Sequence, residues 1–393
     1  MNKRGVLSEI LKSYTMIGVL VIVVWFFTWR TGGNMLLPQN VSNLIAQNAY
    51  VFILAVGMLL CILTGGNIDL SVGSVVAFIG AIGGVLLVQR QVPVPLAILA
   101  MLGVGILVGV WQGFWIAYVR IPPFIVTLAG MLVFRGLTNV VLGGMSISGM
   151  PSGFNVLFNS FVPDIVYGGV EIAPFGNINL TSFLVGIVVV VLYVIVSLRG
   201  RVIRSKKGYQ LDNAIGYWVK LVMISAVVMA FAIRLSQHRG IPAYLIWVAA
   251  IVMIYWYITS KTTIGRHFYA VGGNEKAAEL SGIKTNRVYF IAYVNVSFLA
   301  GVAALVTIAR LDSAIPTAGM QFELDAIASC FIGGASAYGG IGTVPRVILG
   351  ALLMGVINMG MFIMGVDSNW QRVVSGMVLL LAVIFDVLSK KKG

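Results

Sequence analysis

The sequence predicts an all-α integral membrane protein, a polytopic bundle of about 10–12 transmembrane helices. Three observations predict it. Of 393 residues, 59% are hydrophobic and only 10% charged, against about 25% charged in a water-soluble chain. The mean hydropathy of +1.00 leaves too little polar surface to cover a soluble core, so lipid has to act as solvent. The residues behind the net charge of +14 sit between apolar stretches and at the ends; this is the charge pattern that flanks membrane spans, and it argues against a nucleic-acid partner.

Apolar stretches long enough to cross ~30 Å of hydrocarbon fall at 16–29, 44–64, 72–89, 94–118, 122–142, 182–198, 217–236, 241–259, 287–308, 325–343, 347–365 and 370–388. The first follows Lys3, Arg4 and Lys12 and has no small-residue cleavage site after it, so it reads as a retained helix rather than a signal peptide. The tenth is interrupted by glycines.

With the N-terminus inside, inward segments hold 19 of the 26 basic residues, among them Arg120, Arg199, Arg201, Arg204, Lys206, Lys207, Lys261, Arg266, Lys276, Lys284, Arg287, Arg346, Lys390, Lys391 and Lys392. Outward segments hold Arg30, Arg90, Arg234, Arg239, Arg310 and Arg372, and Arg135 lies within a span. That excess places both termini on the cytoplasmic side. Cys61 and Cys330 lie in apolar runs and read as small core residues, with neither a disulfide framework nor metal spacing.

Residues 1–393 read as a single transmembrane domain with three notable connections. Segment 143–181 has Pro151, Pro163, Pro174, Asp164 and Glu171 but no Lys or Arg, and falls on the outer side, as a docking surface or a solvated connector. Segment 199–259 is a basic loop plus an extra helical hairpin that turns at Gln237 to Gly240. Segment 260–287 is cytoplasmic.

Within that last segment, Asn274 to Gly282 predicts a short helix. Asn274 caps its free N–H groups, and Glu275 suits the positive end of the helix dipole. Gly282 stops it, while Gly272 and Gly273 permit a sharp entry turn. Ala277, Ala278 and Leu280 offer a small apolar surface. Two readings stand: insertion into a groove on another protein, or an interfacial helix lying on lipid headgroups.

Polar groups within the bilayer face a protein interior or a water-filled cavity. Gln47, Asn48, Asn67, Asp69, Ser71, Asn295 and Asn358 are the candidates for lining a path. The glycine-interrupted regions 65–74 and 333–342, one in each half of the chain, point the same way. Pairing of these groups between closely packed helices is the alternative. Asp69 also suits a cap for the helix that follows it. No catalytic constellation or metal site is legible: His238 and His267 lie in loops on opposite sides, and Glu323 and Asp325 suit a helix start.

The chain resembles the permease subunits of bacterial monosaccharide ATP-binding-cassette (ABC) importers. The likeness rests on Gly66 to Ser74 (GNIDLSVGS), Pro122 to Met131 (PPFIVTLAGM), Phe134 to Thr138 (FRGLT), Ala309 to Ala314 (ARLDSA), Pro316 to Gly319 (PTAG), Glu323 to Ala328 (ELDAIA), Ile332 to Ser336 (IGGAS) and Gly339 to Val344 (GGIGTV). Length and the basic insertion suit the xylose and multiple-monosaccharide permeases. Pro345 and Arg346 depart from the pattern.

The resemblance implies a permease-type bundle working as a homodimer in the lipid of a bacterial inner (plasma) membrane, with 143–181 as a periplasmic loop, cytoplasmic ATPase subunits and a periplasmic sugar-binding protein. The segment at 272–282 would then be the coupling helix region. No Gly-Lys pair occurs in the chain, so no P-loop is present to bind nucleotide, and no cofactor is implied. The importer class carrying another small polar cargo, an ion-coupled secondary transporter and an intramembrane enzyme are the alternatives.

Overall fold

In lipid a backbone N–H or C=O has no solvent partner, so the apolar stretches satisfy their own hydrogen bonds as helices. The computed structural model describes residues 3–166, 168–173, 175–209 and 214–390. Pro174, Lys391 and Lys392 lie outside the described residues, as do the side chains of Lys3, Arg4, Lys12 and Lys390.

The chain runs α1 (Lys3–Arg30), α2 (Pro38–Leu63), α3 (Val72–Gly84, continued by a π-helical turn Val85–Gln89), α4 (Val94–Ala117), α5 (Pro123–Leu142), β1 (Ile147–Ser148), α6 (Ser152–Asn159), β2 (Val170–Ile172), β3 (Gly176–Ile178), α7 (Leu180–Lys206), α8 (Ala214–Ser236) and α9 (Ala243–Lys261). It continues through α10 (Thr263–Gly273), α11 (Glu275–Leu280), α12 (Thr285–Leu311), β4 (Ser313–Ala314), α13 (Phe322–Ile332), α14 (Val344–Ile363) and α15 (Ser368–Lys390). β1 pairs antiparallel with β4, and β2 with β3.

Among the described residues nine helices are long and apolar enough to cross a membrane: α2 to α5 (α3 with its π turn), α7 to α9, α12 and α14. The apolar parts of α1 and α15, Met16–Arg30 and Ser368–Ile384, are shorter. The expected tenth span, 325–343, is only half helical. α13 stops at Ile332, and Gly334, Gly339, Gly340 and Gly342 carry the chain on with positive φ. Its 11 residues rise ~16 Å, about half the hydrocarbon thickness.

α2 and α12 form the centre. Every residue from Val51 to Thr64 and from Leu299 to Ala309 is buried. α12 packs most closely on α4, where Gly105, Gly109 and Gly113 bring the α4 backbone against Ser297, Val294 and Phe290. Apolar burial does not drive helices together in lipid, because lipid tails are equally apolar, so this spacing of small residues favours contact through van der Waals packing.

α8 finds its main partner in α7, with Gly186 against Ala232 and the Ser197 and Tyr217 hydroxyls 3.0 Å apart. α9 packs instead on α2, α6 and α10, so 217–259 does not pack as a self-contained hairpin. Pro345 is accommodated in the first turn of α14, where its missing N–H costs nothing.

One junction ties three distant segments together. The Gly340 N–H donates to the Leu63 carbonyl (3.0 Å) and the Tyr269 hydroxyl to the Gly342 carbonyl (2.8 Å). A Cβ at Gly272 would collide with the Leu63 carbonyl, one at Gly66 with the Ala337 carbonyl, and one at Gly339 with the Gly65 backbone. Gly273, one residue on, faces open space. Overpacking costs about 1–3 kcal/mol, so Gly272→Ala should lower the thermal unfolding midpoint in detergent by several degrees, while Gly273→Ala should leave it nearly unchanged.

Candidate functional site

α11 is a two-turn helix with both ends built. Asn274 Oδ1 accepts from the Ala277 N–H (2.9 Å). At the other end Gly282 (φ 85°) sends its N–H to the Glu279 carbonyl (2.9 Å), and Ile283 sends its own to the Ala278 carbonyl (3.1 Å). Together these bonds make a Schellman stop. Ala278 is buried beneath the helix, whereas Ala277 and Gly282 are exposed and Leu280 is 80% exposed.

A brace holds α11 to the bundle. Glu275 Oε1 accepts from Arg120 Nη1 (2.8 Å) and Oε2 from the Tyr289 hydroxyl (3.0 Å). Arg120 Nη2 donates to Thr285 Oγ1 (3.1 Å) and to Asn286 Oδ1, and its guanidinium lies 5.5 Å from the centre of the Tyr289 ring. Arg120 follows α4 with φ at 65°, a conformation that L side chains rarely adopt, so one residue links α4, α11 and α12. Partial burial alone would raise the Glu275 pKa; the hydrogen bonds from Arg120 and Tyr289 and the Arg120 charge outweigh it and hold it below the usual value. Sequence reasoning placed Glu275 but counted Arg120 only as charge, and it passed over Tyr289 altogether.

The polar residues proposed for a path separate into groups. Asp69 and Ser71 meet in the link between α2 and α3. Asp69 Oδ1 accepts from the Ser71 N–H (2.8 Å) and hydroxyl (2.6 Å), and Gln112 Nε2 donates to that hydroxyl (2.6 Å). Asp69 Oδ2 and Gln112 Oε1 are buried with no partner. Asn67 turns back to Thr64.

Three others are held within the helix packing. Asn48 bonds the Leu44 carbonyl and fills the space over Gly355 of α14. Asn295 accepts from the Tyr255 hydroxyl of α9 (2.7 Å). Asn358 accepts from the Ser375 hydroxyl (3.2 Å) beside a cavity of about 260 Å³ that Asp325 and Arg372 also line. Gln112 was missed, although an amide inside an apolar stretch is a signal in itself.

Gln47 stands apart from the rest. It lines a cavity of about 330 Å³ between α2, α12 and the 317–322 turn, together with Tyr50, Thr307, Arg310, Thr317 and Phe322. Arg135 fixes that turn by donating to the Pro316 (3.1 Å) and Ala318 (2.6 Å) carbonyls. The Tyr50 hydroxyl donates to Asp325 Oδ2 (2.7 Å), and its ring stacks on Phe322 at 3.4 Å. Gln47 with Tyr50 and Thr307 with Arg310 are each three residues apart, hence on one helix face, a pattern visible in the sequence but not used there.

Residues 40–383 match the family model described as branched-chain amino acid transport system, permease component. The xylose transport system permease protein XylH of Escherichia coli (strain K12) is 35% identical over 389 residues, 99% of this chain and 95% of that one. The ribose import permease protein RbsC of the same strain is 32% identical over 96% of this chain and 94% of its own, and that of Bacillus subtilis (strain 168) is 34% identical over 94% and 89%. No solved structure matches.

The brace has a pH signature. Because the folded Glu275 pKa is depressed, its stabilisation is present above the ordinary glutamate value of about 4.3 and is lost as pH falls through the lower folded value. Glu275→Gln should flatten thermal midpoint against pH over that acid window, read in detergent beside the parent chain.

Proposed function

The chain belongs to the permease-component family of branched-chain amino acid transport systems, and on that premise we propose that it imports a monosaccharide of the xylose, arabinose or glucose kind as the membrane-spanning subunit of an ABC importer. The carrying observation is identity of 32–35% to sugar permeases along nearly the whole chain. It is a multi-pass inner-membrane protein and a translocation subunit. ATP is hydrolysed by a separate subunit, a reading supported by the absence of any Gly-Lys pair here.

In this reading α11 is the coupling helix. Its apolar tip, Leu280, is free to enter a groove on the ATPase, while the Glu275–Arg120 brace carries the resulting push into α4 and α12. Arg120, Lys261, Arg266, Lys276, Lys284 and Arg287 share that end of the bundle, and their charge favours the cytoplasm for it and for both termini. The end with segment 143–181 then meets a periplasmic sugar-binding protein, and two permease copies make the transporter.

The test uses the purified chain with its ATPase in proteoliposomes, recording ATP hydrolysis with and without sugar-loaded binding protein. Stimulation is expected. Leu280→Asp, a change at an exposed site, should abolish it and ATP-driven uptake without lowering the amount of folded protein. Uptake that follows an ion gradient with no ATPase bound would overturn the reading.

A further inference from the structure

The cavity beside Gln47 is a different kind of place from the other polar clusters. Asp69, Ser71, Asn48 and Asn295 bond neighbouring side chains or the backbone. Although Arg372 beside the 260 Å³ cavity is without a partner among the described residues, no aromatic side chain lines that space. Here, among the described residues, the Arg310 guanidinium and the Gln47 amide have no hydrogen-bond or ion-pair partner, and both line the same space. A charged group at a helix end in a membrane protein faces water or a partner rather than lipid. The Thr307 hydroxyl donates to the Ala303 carbonyl (2.7 Å), so its lone pairs remain to accept.

The walls have a matching chemistry. Tyr50 and Phe322 supply aromatic surface, held in place by their mutual stacking and by the bond from Tyr50 to Asp325. At about 330 Å³ the space is at the small end of the range for small-molecule sites. Sugars present hydroxyls that both donate and accept, on a ring with apolar C–H faces. An amide, a guanidinium and a hydroxyl acceptor around aromatic walls answer both features. A lone guanidinium, with no second cation lining the space, is a poor cradle for a phosphate, which draws several charge-assisted donors.

We propose that this cavity is a monosaccharide subsite within the permease itself, in which Arg310, Gln47 and Thr307 hydrogen-bond a neutral sugar whose ring lies against Tyr50 or Phe322. The proposal rests on the sugar-importer reading above. The chain therefore contributes to selecting its cargo through a weak site that the sugar occupies in passage.

Both native cysteines, Cys61 and Cys330, are fully buried, so a cysteine added at the exposed Thr317 wall can be labelled selectively. Thr317→Cys in proteoliposomes with its ATPase is treated with a membrane-impermeant thiol reagent, with D-xylose, L-arabinose, D-ribose and D-glucose added in turn at millimolar concentration. Uptake of each sugar is measured in parallel. At least one sugar should slow labelling several-fold. Adding Arg310→Gln or, separately, Gln47→Ala should remove the protection, read as the ratio of each variant's rates with and without sugar because a nearby cation also sets thiol reactivity, and raise the KM for uptake several-fold, while ATPase stimulation by loaded binding protein persists.

Labelling that no sugar slows overturns the subsite. If uptake continues in that case, the importer reading stands; if no sugar is taken up, that reading falls as well. Protection by inorganic phosphate or glucuronate, but by none of the four sugars, overturns the neutral-sugar assignment.

Discussion

Backbone-to-backbone contact at the Leu63–Gly66, Gly272 and Gly339–Gly342 junction is the constraint on which the rest of the structure depends. Three segments from distant parts of the chain meet where no side chain fits. The contact sets where α2 ends, where α10 ends and how the chain returns from the half-length α13 to α14. It also fixes the root of α11, whose capped turns project from that point. Backbone groups in lipid must find partners, and here Gly340 satisfies the carbonyl of Leu63 that the end of α2 leaves open.

The legible part of the fold was its apolar periodicity and its stops. Spans such as α2, α4, α9 and α12 follow from continuous hydrophobic runs, and α11 follows from Asn274 and Gly282, because caps are local chemistry written in adjacent residues. What stayed hidden was pairing across long separations. Nothing near Arg120 announces Glu275, 155 positions away. The stretch 325–343 reads as apolar throughout, yet its glycines take positive φ and break it. The 217–259 stretch looked like one hairpin because the two helices are adjacent in sequence, while α8 is claimed by α7 through Gly186.

The candidate path residues divide the same way. Polarity inside an apolar run marked seven residues without saying what each one faces. Asn48 bonds within α2 and packs over Gly355 of α14, while Asn295 and Asn358 bond Tyr255 and Ser375 on neighbouring helices, a use of amides expected where helices pack in lipid. Asp69, Ser71 and Gln112 form a connected polar node with two oxygens left over. Gln47 alone opens on the larger cavity, and its companions there, Tyr50, Thr307 and Arg310, came to light only once α2 and α12 were seen side by side.

The glycine stripe of α4 against α12 has a mechanical consequence. Two helices locked along Gly105, Gly109 and Gly113 behave as one stiff beam. α12 carries the Arg120 contacts at one end and Arg310 at the other, and its 27 residues make that beam ~40 Å long. Over such a length a tilt of one degree displaces the far end by roughly 0.7 Å. A few degrees of tilt at the braced end therefore shift the cavity wall by about the width of an atom, with no change in either helix.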